Sequence, residues 1–290
     1  MTAYDIFFAP FADYGFMRRA LVACLCLGLG SGPIGVFLML RRMSLMGDAM
    51  SHAVLPGAAI GYLIAGSLSL TAMGIGGLVA GLSVALLSGV VSRMTVLQED
   101  VSFASFYLAS LALGVLIVSL HGSNIDLLHV LFGTILAIDA PALTQIGAIT
   151  SVTLLALAIV YRPLVAECFD PGFLRAVGGR GPVYHFLFLL LVVLNLVASF
   201  QALGTLMAVG LMMLPAAIAQ LWSRNLPAMM TTAAASAAAS GYLGLIASYH
   251  LELASGPTII MTAALLYGLS IFFAPSGLAR RVFPRPHLKG

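Results

Sequence analysis

The sequence predicts an all-α, polytopic integral membrane protein, with about nine transmembrane helices plus one short re-entrant or interfacial segment, in a single membrane domain over residues 1–290. Three observations carry this. Of the 290 residues, 61% are hydrophobic and 8% charged, against roughly 25% charged in a soluble domain. Apolar runs of about 20 residues recur from end to end, the length at which a helix crosses the hydrocarbon core; barrel strands alternate and run about 10 residues. Counted as crossings, these runs gather the basic residues onto one side.

The elements follow in order. Residues 1–16 carry Asp5 and Asp13 where a secretory signal would be basic, together with Tyr4, Phe7, Phe8, Phe11, Tyr14 and Phe16. That mix predicts a segment lying at the membrane interface. Spans are expected at 18–40, 45–66, 69–92, 101–120, 141–161, 183–203, 205–222, 227–250 and 257–276. The apolar piece 125–138 is too short to cross and is expected to re-enter or lie at the interface. With the N-terminus outside, Arg41, Arg42, Arg93, Arg162, Arg175, Arg180, Arg224, Arg280, Arg281, Arg285 and Lys289 fall on the cytoplasmic side, and only Arg18 and Arg19 fall outside. Were 125–138 to cross as well, the basic loops of the second half would face out. The expected topology is therefore N-terminus outside, C-terminus cytoplasmic, in a cytoplasmic membrane.

Several features bound the chemistry. Lysine occurs once, at Lys289, and no G-x-x-x-x-G-K-[ST] loop exists, so the chain does not hydrolyse ATP by that route alone. Cys24, Cys26 and Cys168 form neither a disulfide framework nor a CxxC site and read as small apolar fillers. Met207, Met212 and Met213 read as core filling. The Ala/Ser/Thr run 231–240 reads as close helix packing. Leu55-Pro56-Gly57-Ala58-Ala59-Ile60 faintly echoes Leu214-Pro215-Ala216-Ala217-Ile218, as paired Pro-interrupted segments of an internal repeat would.

The most informative residues are Asp48 and His52, in Gly47-Asp48-Ala49-Met50-Ser51-His52-Ala53-Val54-Leu55-Pro56-Gly57. Four positions apart, they share one helix face. They lie about 9 and 15 Å along the helix from Arg42, so His52 is near mid-depth of the bilayer core. Ionisable groups at that depth mark transport or relay paths by default. A carboxylate with an imidazole is a ligand set for Zn²⁺ or Mn²⁺, and a twofold dimer would bring two such pairs together. The alternative is an Asp–His hydrogen bond that staples a bend.

The longest inner loop, 163–182, is the second strong feature. Within it Asp170-Pro171 predicts a helix start and Gly178 a stop. A short amphipathic helix there, bearing Phe173, Leu174 and Val177, would either dock into a partner's groove or be a plain surface helix. Elsewhere, His129 in the short piece reads as helix-facing or interfacial, and His185 as interfacial at the start of a span. His121 and Asp126 flank an outside loop. His250 and Glu252, in the last outside loop, read as solvated, with a lesser possibility that they hand a cation inward.

The Gly47–Gly57 stretch closely resembles the signature helix of the permeases of bacterial zinc/manganese/iron ABC importers. Phe169-Asp170-Pro171-Gly172-Phe173-Leu174-Arg175-Ala176-Val177-Gly178 resembles that family's cytoplasmic loop. Gln201-Ala202-Leu203-Gly204-Thr205-Leu206 through Leu214-Pro215-Ala216-Ala217 resembles its late helix, and Ser255-Gly256-Pro257-Thr258-Ile259 its final outside turn. The matches occur in the expected order over most of the chain. The resemblance implies a permease subunit that is not itself an enzyme and holds no permanent cofactor. It implies a homodimer in membrane lipid, two separate cytoplasmic ATPase subunits and an extracytoplasmic metal-binding protein, with no nucleic acid. It places the transported ion on Asp48 and His52, and ATPase coupling on Phe169, Asp170, Pro171, Phe173, Leu174, Arg175 and Gly178. Gly172 stands where relatives often carry an acidic residue, which removes a salt bridge to the ATPase there. Two other classes compete. An intramembrane protease lacks H-E-x-x-H and a second clearly membrane-embedded aspartate. A secondary metal transporter driven by an ion gradient would equally lack an ATPase motif.

Overall fold

The computed structural model describes residues 3–66, 69–97, 99–120 and 135–278. Among them all regular structure is helical: α1 (Ala3–Phe7), α2 (Ala9–Asp13), α3 (Gly15–Leu40), α4 (Ser44–Ala53), α5 (Leu55–Ala65), α6 (Leu70–Met94), α7 (Glu99–Leu120), a 3-10 turn (Ile135–Ala137), α8 (Ala140–Phe169), α9 (Pro171–Ala176), α10 (Gly181–Leu203), α11 (Thr205–Trp222), α12 (Leu226–Leu251) and α13 (Ser255–Phe273). Apart from that 3-10 turn and Ile138, the 125–138 piece lies outside the described residues, as do His121, Asp126 and His129. So do the basic residues of the C-terminal tail, Arg280, Arg281, Arg285 and Lys289.

Seven helices among the described residues, α3, α6, α7, α8, α10, α12 and α13, are long and apolar enough to cross a membrane, and Ala208–Trp222 of α11 forms a shorter apolar helix. The remaining expected span, 45–66, is broken in two at Val54. Pro56 causes the break, since it has no N–H to continue the ladder. Next to the break the Ser110 hydroxyl of α7 donates to the Ala53 carbonyl at 3.1 Å, a partner from a neighbouring helix of the kind that interrupted membrane helices use. Pro215, by contrast, lies inside the continuous α11, so the two proline segments of the sequence echo differ in local helix continuity.

The second departure concerns the inner loop. The span expected to end at 161 continues through Arg162 and Pro163 to Phe169. Tertiary burial drives the extension: Leu164 is fully buried, and Val165 and Cys168 pack against the same core. The loop therefore spans 170–180 rather than the whole of 163–182.

α3 is the central helix and packs on α8, α10, α11 and α12. It comes close to α12, where a Cβ on Gly28 would stand 2.9 Å from Cβ of Ala237 and one on Gly32 3.1 Å from the Ala234 nitrogen, and closer to α11, where Gly35 faces the Met212 carbonyl. The small-residue run of 231–240 thus does the packing expected of it. α5 and α6 pack still closer, through Gly57 against the backbone of Gly76. α3 ends in a Schellman turn: the Met43 N–H donates to Leu38 O at 2.9 Å and the Arg42 N–H to Met39 O at 3.0 Å. Arg42 occupies its left-handed position (φ 60), which costs a side-chain-bearing residue about 1 kcal/mol relative to glycine. The N-terminal segment folds as two short helices and lies against the end of α12, where the Tyr242 hydroxyl donates to Phe7 O at 2.8 Å and Phe11 stacks on Tyr242.

Candidate metal-transit site

α4 carries the acid–imidazole pair. The helix is seated by Gly47, whose missing side chain leaves room for the methyls of Met212 and Met213 on α11, each 3.0 Å from where a Cβ would stand. Met50 and Ala53 are fully buried beneath it. These contacts turn Asp48 and His52 outward on one face. Their side chains are 66% and 40% exposed on the single chain, and Nε2 of His52 lies 4.0 Å from Oδ1 of Asp48. That separation is too long for a hydrogen bond, so the pair does not staple a bend. Nδ1 of His52 is buried and has no hydrogen-bond partner among the described residues. The side that Nε2 presents is the side shared with Asp48.

Beside Asp48 lies a cavity of about 480 Å³ between α4 and the start of α7, lined by Arg42, Asp48, Asp100 and Tyr107 among apolar neighbours that include Met43 and Phe103. A second carboxylate, Asp100, thus shares a cavity with the first. Sequence reading missed it; its only signal is its place in the acidic pair Glu99-Asp100 that opens a span. Among the described residues no three His, Cys, Asp or Glu side chains converge as a ready-made metal cage.

The other expected residues are placed as follows. Asp170 caps α9, its Oδ1 accepting from the Phe173 N–H at 2.8 Å. Gly178 takes a left-handed conformation (φ 77), and the Gly179 N–H closes the helix on Leu174 O at 2.8 Å. The expected short helix is present, with Phe173 exposed on it, Phe169 and Val177 exposed just before and after it, and Leu174 turned back toward Gly179. At the opposite end of the molecule His250 lies 3.1 Å from Ile6 O through Nε2. Glu252 is exposed in the left-handed cap of α12 (φ 53). Neither is near Asp48 in the fold. His185, expected at the interface at the start of a span, lies near the start of α10, buried within the protein (7% exposed), and accepts a hydrogen bond from Arg41. The three cysteines are free thiols.

Residues 13–274 match the model of the ABC 3 transport family. The chain is 37% identical over 276 residues to the manganese transport system membrane protein MntC of Halalkalibacterium halodurans, covering 95% of this chain and 93% of that protein. It is 31% identical over 270 residues to the chelated iron transport system membrane protein YfeD of Yersinia pestis, covering 93% and 89%. Its fold is similar to a chain of PsaBC from Streptococcus pneumoniae, solved in complex with Fab, with a TM-score of 0.83 and 32% identity over 95% of this chain and 98% of that one. With its membrane helices, its lack of a Walker loop and this likeness along nearly its whole length, the chain belongs to the ABC 3 transport family, as a multi-pass, non-catalytic permease subunit whose work implies ATPase and binding-protein partners.

Proposed function

We propose that the chain imports a divalent first-row metal ion, manganese(II) or iron(II), and that Asp48 and His52 hold the ion in transit. One observation carries the reading: an acid and an imidazole share a face of α4, 4.0 Å apart, without bonding to each other. Two partly exposed polar side chains in an apolar chain are costly, and this pair returns no structural contact for that cost. A second copy related by a twofold axis adds two more ligands. An incomplete shell suits an ion that has to leave. The names of the manganese and iron relatives support the choice of cargo. Carboxylate with imidazole also accepts zinc, which by the general order of affinities binds such a site more tightly than manganese or iron.

In this reading the N-terminus lies outside and the C-terminus in the cytoplasm, and residues 1–290 act as one permease domain with 1–16 at the interface. A metal-loaded binding protein delivers the ion from the side of His250 and Glu252. Two ATPase subunits engage Phe169, Asp170, Pro171, Phe173, Leu174, Arg175 and Gly178. Asp100 offers a second carboxylate on the inner side of the path. The ion-gradient alternative loses its ground, because the chain is a permease of an ABC family.

The test is uptake of radioactive manganese by cells lacking their own importer. Asp48→Ala and His52→Ala are each expected to abolish uptake while leaving assembly with the ATPases intact. Wild-type uptake by both variants rejects the site. Competition by zinc, iron and manganese, added singly, ranks the cargo.

A further inference from the structure

Three chain segments meet at the root of α4. The last turn of α8 brings Glu167 and Cys168, the first turns of α10 bring Gly181 and His185, and α3 ends with Arg41 as its cap. The first two are the legs of the loop that carries α9; the third leads into the helix that carries Asp48 and His52. The legs close on each other at Gly181, where a Cβ would stand 2.5 Å from Oε2 of Glu167.

Arg41 ties this neck to α3. Its Nη1 donates to Nδ1 of His185 at 2.9 Å, so the imidazole carries its proton on Nε2. Its Cζ lies 5.2 Å from the centre of the Phe188 ring, within cation–π range. The thiol of Cys168 lies beside the same guanidinium. His185 and Phe188 are both buried and Arg41 is half-buried, so the contact is partly shielded from water and holds more firmly than a surface pair. One side chain thus touches both legs of the loop.

Beyond Arg41 there is no slack. Arg42 and Met43 alone separate it from α4, and both are locked in the Schellman turn, with Arg42 in a left-handed conformation. A shift at the neck therefore reaches α4 through a joint of fixed geometry. Helix shifts of about an ångström or two are one of the recurrent means of switching in packed proteins.

We infer that Arg41 and His185 are positioning residues that transmit movement of the α9 loop to the helix holding Asp48 and His52. The inference rests on the reading above, in which that loop meets the ATPases and that helix meets the ion. No contact with the cargo is assigned to either residue.

The experiment uses the complete transporter in proteoliposomes, with three measurements: basal ATP hydrolysis, its stimulation by manganese-loaded binding protein, and manganese uptake. Arg41→Met and His185→Phe remove the bond at similar volume; Arg41→Lys and His185→Asn keep a donor and an acceptor. The first two are expected to assemble and to hydrolyse ATP at the basal rate, but to lose stimulation and uptake by about tenfold. The second two are expected to stay within about twofold of wild type. Wild-type stimulation in Arg41→Met and His185→Phe overturns the inference. So does equal loss in all four variants, or failure of the first two to assemble, since the pair is then structural. Asp48→Ala tests the parent reading separately: if that variant still takes up metal, the transit site is wrong, while stimulated hydrolysis still reports on the Arg41 link.

Discussion

At the residue scale the question is whether Asp48 and His52 stabilise the fold or serve the cargo, and magnitudes decide it. An exposed ion pair contributes about 0–1 kcal/mol even at good geometry. Here the atoms are 4.0 Å apart and the carboxylate is two-thirds exposed on the single chain, so little stability depends on the pair. Asp48→Asn keeps shape and one acceptor and removes the charge. The purified transporter carrying it is expected to unfold within about 0.5 kcal/mol of wild type. Its metal uptake should fall by at least about tenfold, the loss of a ligand charge being worth more than 1.4 kcal/mol in binding. Equal uptake with lowered stability would return the pair to a structural role. The two residues were legible in the sequence because charge is rare in an apolar run and their spacing sets a shared face. Asp100 and Arg41 were not: each reads as an ordinary charge at the end of a span, and only packing brings Asp100 to the cavity beside Asp48 and Arg41 to His185. For the same reason nothing local to Tyr184-His185-Phe186 signals that His185 is buried against Arg41.

At the element scale the signals that held were those with a local cause. α9 starts at its Asp cap and stops at a left-handed glycine, as its sequence dictates. The signals that failed were boundaries set by distant contacts. α8 runs past Arg162 and Pro163 because Leu164 is buried against the core. The α4–α5 break falls at Val54, where Ser110 on another helix donates to the adjoining Ala53 carbonyl. α9 itself makes a sharp prediction. Phe173 is 60% exposed, and burying such a ring in a partner contributes about 1.5–3 kcal/mol. Phe173→Glu is expected to leave the permease folded, because nothing in its own core loses a contact. It should weaken co-purification of the ATPases by at least about tenfold, the equivalent of 1.4 kcal/mol. Unchanged recovery of the ATPases from detergent-solubilised membranes would mean that the exposed Phe169, Phe173 and Val177 face something else.

For the whole molecule, the sidedness inferred from charge can be compared with which helix ends meet. The Arg41–His185 bond places the end of α3 and the start of α10 at one end of the bundle, beside the end of α8 at Cys168. The cavity shared by Arg42 and Asp100 adds the start of α7. All four ends were assigned to the cytoplasmic side by the basic-residue count. The N-terminal helices meet the end of α12 through Tyr242 and His250, and both were assigned outside. The relative sidedness is thus self-consistent, and thiol labelling tests which end faces the cytoplasm. A variant with Cys24, Cys26 and Cys168 replaced by Ala supplies the background, and single cysteines go in at Val177 and Leu253, which are 68% and 53% exposed. In intact cells a membrane-impermeant maleimide is expected to label Leu253→Cys and to spare Val177→Cys until the membrane is opened. Bound ATPases should then protect Val177→Cys but leave Leu253→Cys reactive. The opposite pattern would put Arg162, Arg175, Arg180 and Arg224 outside, against the rule by which basic loops stay in the cytoplasm, and would turn the α9 loop away from any ATPase.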